Sequence, residues 1–90
     1  MNKVKVIFRK DREGNIIAFL PELRVNHGNI MSYMHIGQHS EASLQYYWET
    51  VKATEEEYKP LLKELKSIYD DEALVIKKRL NMDKLRSMWR

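Results

Sequence analysis

Ninety residues suffice for one small domain, since a domain usually takes roughly 100 to 200 residues, and this length excludes a cofactor domain joined to a separate substrate domain. With 43% hydrophobic and 32% charged residues the chain can bury a core, which excludes wholesale disorder, and the lack of cysteine excludes disulfides, thiolate metal sites and cysteine nucleophiles. The net charge of +3 conceals an uneven spread, with +3 over residues 1–40, −5 over 41–72 and +5 over 73–90.

Met1-Asn2-Lys3 runs straight into alternating Val and Lys, and the longest apolar run is Ile16 to Leu20. Neither a signal peptide nor a membrane span is expected, and a reducing cytoplasm is the expected setting. Lys3-Val4-Lys5-Val6-Ile7-Phe8-Arg9 alternates at period two, Asp11-Arg12-Glu13-Gly14-Asn15 supplies turn chemistry, and Ile16-Ile17-Ala18-Phe19-Leu20 follows, a pattern that predicts a β-hairpin. Pro21 lacks a donor and stops the second strand; Glu22 to Asn29 reads as a loop. A third strand is predicted at Ile30-Met31-Ser32-Tyr33-Met34-His35-Ile36, closed by Gly37.

From Ser40 the period changes. Leu44, Tyr47, Trp48 and Val51 stand at i, i+3, i+4 and i+7, one stripe of a short helix with Ser40 or Ser43 as N-cap. Thr54-Glu55-Glu56-Glu57 is a capping box, and Tyr58, Leu61, Leu62, Leu65, Ile68 and Tyr69 form the apolar stripe of a second helix, with Pro60 removing one bond near its start. Leu61, Leu62, Leu65 and Ile68 are expected to pack on Val6, Phe8 and Phe19. Asp70-Asp71-Glu72 reads as a solvated turn, Ala73 to Leu80 as a last strand, and Asn81 as the cap of a tail helix carrying Met82, Leu85, Met88 and Trp89 on one side. The order β-β-β-α-α-β with a short C-terminal helix predicts an α+β fold: a mostly antiparallel sheet of about four strands, helices on one face, one domain over residues 1–80 and a helical tail over 81–90.

The chain resembles a family of small proteins encoded by phages, prophages and other mobile elements of gut bacteria. The resemblance is carried by Val6-Ile7-Phe8-Arg9-Lys10, by Ile16-Ile17-Ala18-Phe19-Leu20-Pro21-Glu22, and most specifically by Ser32-Tyr33-Met34-His35-Ile36-Gly37-Gln38-His39. It continues through Ala42-Ser43, Tyr46-Tyr47, Glu57-Tyr58, Leu61-Leu62, Glu64-Leu65 and Val75-Ile76-Lys77-Lys78-Arg79-Leu80, so that residues 3–80 are covered and the tail looks like an addition. It implies a compact cytoplasmic protein, a setting in which counter-defence is a frequent task, and no catalytic residue.

Three histidines, His27, His35 and His39, lie within thirteen residues. No carboxylate stands between His35 and His39 as in the zinc-protease helix motif, so no metal and no cofactor are assigned. A strand followed by Gly37-Gln38-His39-Ser40 and a helix would instead offer backbone N–H groups, a hydroxyl and an imidazole to an anion. Tyr33, His35, Gly37, Gln38, His39 and Ser40 are therefore the candidate ligand site of a non-enzymatic binding protein, for a phosphate-bearing small molecule or a host protein. The alternative reading is a nucleic-acid-binding accessory protein using Lys3, Lys5, Arg9, Lys77 and Arg79, provided that the fold lays the last strand beside the first. A third, a small hydrolase on His35 and His39, lacks a third catalytic group. Met82, Leu85, Met88 and Trp89 form the candidate interface of a homodimer.

Overall fold

The computed structural model describes residues 3–35, 37, 39–69 and 73–90. The protein is an α+β fold built on a mostly antiparallel sheet: β1 (Val4–Lys10), β2 (Ile16–Leu20), β3 (Asn29–Met34), β4 (Ser40–Ser43), α1 (Leu44–Glu49), β5 (Val51–Lys52), α2 (Glu55–Ile68), β6 (Leu74–Ile76) and α3 (Met82–Met88). The strands run in the order β4-β3-β2-β1-β5, and β6 pairs in parallel with the other half of the β1 edge.

Local chemistry explains the first hairpin. Asp11 accepts from the backbone N–H groups of Glu13 and Asn15, both at 2.9 Å, and Gly14 takes the left-handed φ of 87° that the turn requires. The register that follows places Ile7 opposite Phe19 and Phe8 opposite Ala18.

Alternation then divides the apolar residues between two faces. On one, Val6, Phe8, Ala18, Leu20 and Tyr33 pack with Leu61 and Leu65 of α2. On the other, Ile7, Ile17, Phe19, Ile30 and Tyr47 pack with Leu85 of α3. Helix α2 thus lies on one face, as expected, while α1 and α3 cover the opposite one. The continuous apolar runs Val6-Ile7-Phe8 and Ile17 to Leu20 have their reason here, because a strand covered on both faces has no solvent side. Phe19, expected beneath α2, belongs to the α3 face for the same reason. Ile68, expected in the buried stripe, is 48% exposed at the last residue of α2.

Helix α2 begins with both halves of its capping box, Thr54 with Glu57, and continues through Pro60, which sits on the exposed side. Helix α1 is shorter than its periodicity predicts. Ser43, not Ser40, is its N-cap, Ser40 belongs to β4, and Thr50 ends it, so that Trp48 and Val51 are exposed and only Tyr47 is buried. Strand β6 also stops early. Lys77 N–H still reaches the Val6 carbonyl at 2.8 Å, but the next stretch of the β1 edge is taken by Ala53, whose N–H reaches the Phe8 carbonyl, and by β5 opposite Arg9 and Lys10. Lys77 to Leu80 therefore leave the sheet and cross toward α3. Asp70, Asp71 and Glu72, the acidic triplet, lie outside the described residues. Among the described residues no helix is long and apolar enough to cross a membrane.

Candidate anion-binding cleft and the histidine–tyrosine cluster

The parallel pairing of β1 with β6 brings the two basic ends of the chain together. Alternation sets Lys5 on the same side of β1 as Ile7, the side that α3 covers, and the segment leaving β6 carries Lys77, Lys78 and Arg79 across to Asn81, the N-cap of α3. Burial of Leu85 anchors α3 and so places Lys84 one residue earlier in the helix. The result is a cleft of about 520 Å³ lined by Lys5, Lys77, Lys78, Arg79 and Lys84, with Pro21, Glu22 and Asn81 completing the wall.

Among the described residues, five cationic side chains and one carboxylate thus share one concavity. The ion pairs among the described residues are Lys10 with Glu57, His35 with Glu64 and Arg86 with Asp83, and none of them draws on the cleft cations. Like charges held together in a concave surface raise the local potential and attract anions. Among the described residues that line the cleft none is aromatic, and the lining is dominated by charge.

Of the five residues expected to bind nucleic acid, Lys5, Lys77 and Arg79 line this cleft, and Lys3 and Arg9 do not. Arg9 has a structural task instead. Its Nε donates to Thr50 Oγ1 at 3.0 Å, an Nη donates to the Thr50 carbonyl at 2.6 Å, and its guanidinium lies 4.8 Å from the Tyr47 ring centroid. The guanidinium fork closes the α1 to β5 turn, which the one-dimensional charge pattern does not reveal.

The segment expected to cradle an anion has a different geometry from the one foreseen. Ser40 sits in β4, where its carbonyl accepts from Ser32 Oγ at 2.8 Å, so it does not open a helix. The physical reason is β3–β4 pairing, Ser32 with Ser40 and Ile30 with Ala42, which claims these residues before α1 begins. Gly37 has its own requirement: a Cβ there would stand 2.7 Å from the Met34 carbonyl oxygen, the atom that accepts its N–H. Gln38 lies outside the described residues.

What the fold does assemble is a cluster between the end of β3 and the last turns of α2. Tyr33 OH donates to Glu64 Oε2, His35 Nδ1 lies 2.5 Å from Glu64 Oε1, and His39 Nε2 lies 2.7 Å from Tyr69 OH, with the His39 ring 5.2 Å from that of Tyr33. The hydrogen bond to Glu64, with burial and the carboxylate charge adding to it, holds the Tyr33 phenol above its ordinary pKa, and burial does the same for Tyr69. Sequence reasoning named Tyr33, His35 and His39 and missed Glu64 and Tyr69, which belong to another element and whose spacing carries no sign of the contact. Lys78, Lys84 and Glu22 were missed in the cleft for the same reason. His27 stands apart, its ring 4.6 Å from Trp89. No group of three or more metal-ligating side chains forms among the described residues.

The tail helix packs on the sheet. Leu85 is fully buried, Met82 and Trp89 pack against the same cluster, and Trp89 Nε1 donates to the Asn29 carbonyl at 2.8 Å. Val25 ties the backbone down from both sides, its N–H to the Met88 carbonyl and its carbonyl to Arg90 N–H. Three of the four residues expected to serve a second subunit, Met82, Leu85 and Trp89, thus pack on the protein's own sheet.

Comparison with protein families, with curated proteins and with solved structures gives no match.

Proposed function

We propose that the protein is a non-enzymatic binding protein that holds the phosphate backbone of a nucleic acid in the cleft between β1, the segment after β6, and α3. The observation that carries this reading is the gathering of Lys5, Lys77, Lys78, Arg79 and Lys84 around one concavity with no ion-pair partner among the described residues. Phosphate contacts release condensed counterions, so affinity falls steeply with salt; a protein contacting about four phosphates loses roughly a hundredfold between about 50 and 200 mM salt. Fluorescence anisotropy of a labelled oligonucleotide across that range measures the slope. The triple variant Lys77→Ala, Lys78→Ala, Arg79→Ala is expected to flatten the slope and weaken binding while leaving the thermal melt in place, because all three side chains are exposed. No binding at about 50 mM salt, or an affinity indifferent to salt, overturns the proposal.

A second reading rests on the cluster around Glu64. The His35 side chain is 74% exposed and bound through Nδ1, which leaves Nε2 without a partner among the described residues and able to receive a small anionic ligand. Calorimetric titration of His35→Gln with nucleotides and simple phosphates separates it from the cleft, whose salt response that variant leaves intact. A counter-defence role would follow from the resemblance to mobile-element proteins; the cleft bears only on the chemistry of the ligand.

A further inference from the structure

A second depression adjoins the basic cleft and differs from it in kind. It measures about 400 Å³ and is lined by Phe8, Ala53, Tyr58 and Ile76, with Lys52 from β5 and Thr54 and Glu55 from the start of α2, and it shares Lys77 and Lys78 with the cleft. Phe8 and Tyr58 are stacked, their centroids 4.3 Å apart and their planes 11° from parallel. Tyr58 is half-buried, and its hydroxyl has no hydrogen-bond partner among the described residues. Lys52 and Glu55 in the lining of the depression offset one another in charge, whereas the adjoining cleft gathers five cations around one carboxylate among the described residues, so a phosphate is held most strongly on the cleft side.

Resting on the cleft reading above, we propose that the ligand is a single-stranded nucleic acid, one unpaired base of which seats in the Phe8–Tyr58 depression while the phosphates beside it lie on Lys77, Lys78 and Arg79. An aromatic, mostly apolar pocket joined to a cationic groove matches the two chemically distinct parts of an unpaired nucleotide. Phe8 is only 4% exposed and backs Tyr58, so the base stacks on the outer face of the Tyr58 ring, which accepts any base, and the Glu55 carboxylate and Tyr58 hydroxyl are hydrogen-bonding groups for its edge. A duplex keeps its bases stacked and paired, so it can use the cleft but not the depression.

The test compares a labelled single-stranded oligonucleotide, a duplex of the same length, inorganic polyphosphate as a chain without bases, and mononucleotides, all at one salt concentration. The expected order is single strand first, with duplex and polyphosphate weaker and alike. Tyr58→Leu, which keeps an apolar contact with Phe8, is expected to lower single-strand affinity by roughly five- to a hundredfold, the range set by stacking on one aromatic side chain, and to leave polyphosphate affinity unchanged; Tyr58→Phe, which keeps the ring, is expected to retain most of the affinity. Equal affinity for single strand, duplex and polyphosphate overturns the base pocket and leaves the cleft reading standing, whereas binding to none of the three removes the cleft reading itself. Mononucleotides binding as tightly as the oligonucleotide overturn the assignment to a strand. The wild-type comparison needs no variant, so a Tyr58 substitution that fails to fold does not shelter the idea.

Discussion

Leu85→Ala tests whether the last helix is part of the core. Leu85 is completely buried among Ile7, Ile17, Phe19, Ile30 and Tyr47, on the sheet face opposite α2. The substitution removes three carbon atoms from a site walled by a sheet that cannot collapse onto the void. Transfer loss at about 0.8 kcal/mol per buried methylene and the cavity term of about 24 cal/mol per Å³ together put the cost at about 3 to 5 kcal/mol. For a domain of this size, each kcal/mol corresponds to roughly 4 to 8 °C in Tm, so the melt should fall by at least about 12 °C. Urea melts followed by circular dichroism give the free energy directly, with Ile68→Ala as the control, since Ile68 is 48% exposed and should change stability by no more than about 0.5 kcal/mol. Truncation after Leu80 should be more severe than Leu85→Ala, because it also removes Trp89 and uncovers Phe19. A Leu85→Ala cost below about 1 kcal/mol, or a truncated chain that melts like the full one, would show that α3 does not cover this face.

Further outcomes follow from particular contacts. Arg9→Ala should destabilise the fold by about 1 to 3 kcal/mol through loss of its bonds to Thr50, while the salt slope of polyanion binding stays as in the wild type; a changed slope would return Arg9 to the binding surface. Gly37→Ala should cost about 1 to 3 kcal/mol by thermal melt, because its Cβ would meet the Met34 carbonyl oxygen at 2.7 Å, and an unchanged melt refutes the close approach. Glu57 is held below the usual glutamate pKa by the hydrogen bond from Lys10, with Thr54 N–H adding to it. A depressed folded value means that its contribution is complete above the unfolded pKa of about 4.3 and disappears as pH falls through the folded one, so Glu57→Gln should flatten the acid limb of a stability curve measured from about pH 6 to pH 3. An acid limb unchanged in that variant would count against the pairing.

The hairpin, the N-cap of α2 and the fold class were legible in one dimension because their causes are local. The Asp11 side chain bonds within four residues of itself, Thr54 and Glu57 close their box within one turn, and the apolar stripe of α2 repeats at the helical period. The apolar runs Val6-Ile7-Phe8 and Ile17 to Leu20 also carried the sign of a sheet covered twice, although the alternation of Lys3 to Arg9 suggested one wet face. What one dimension could not contain was which distant segments meet. Ser40 and Ser43 were both credible helix caps until pairing with β3 placed Ser40 in a strand, and Glu64 had no local mark of its bonds to Tyr33 and His35. The basic ends were visible as charge blocks, yet they become one cleft only because β6 pairs with β1 and Leu85 holds Lys84 beside them. Hydrogen bonds across a turn and the spacing of a helix are decided within a few residues. Pairing between the two ends of a chain is decided by the free energy of the whole core, in which each segment competes for the same sheet edge.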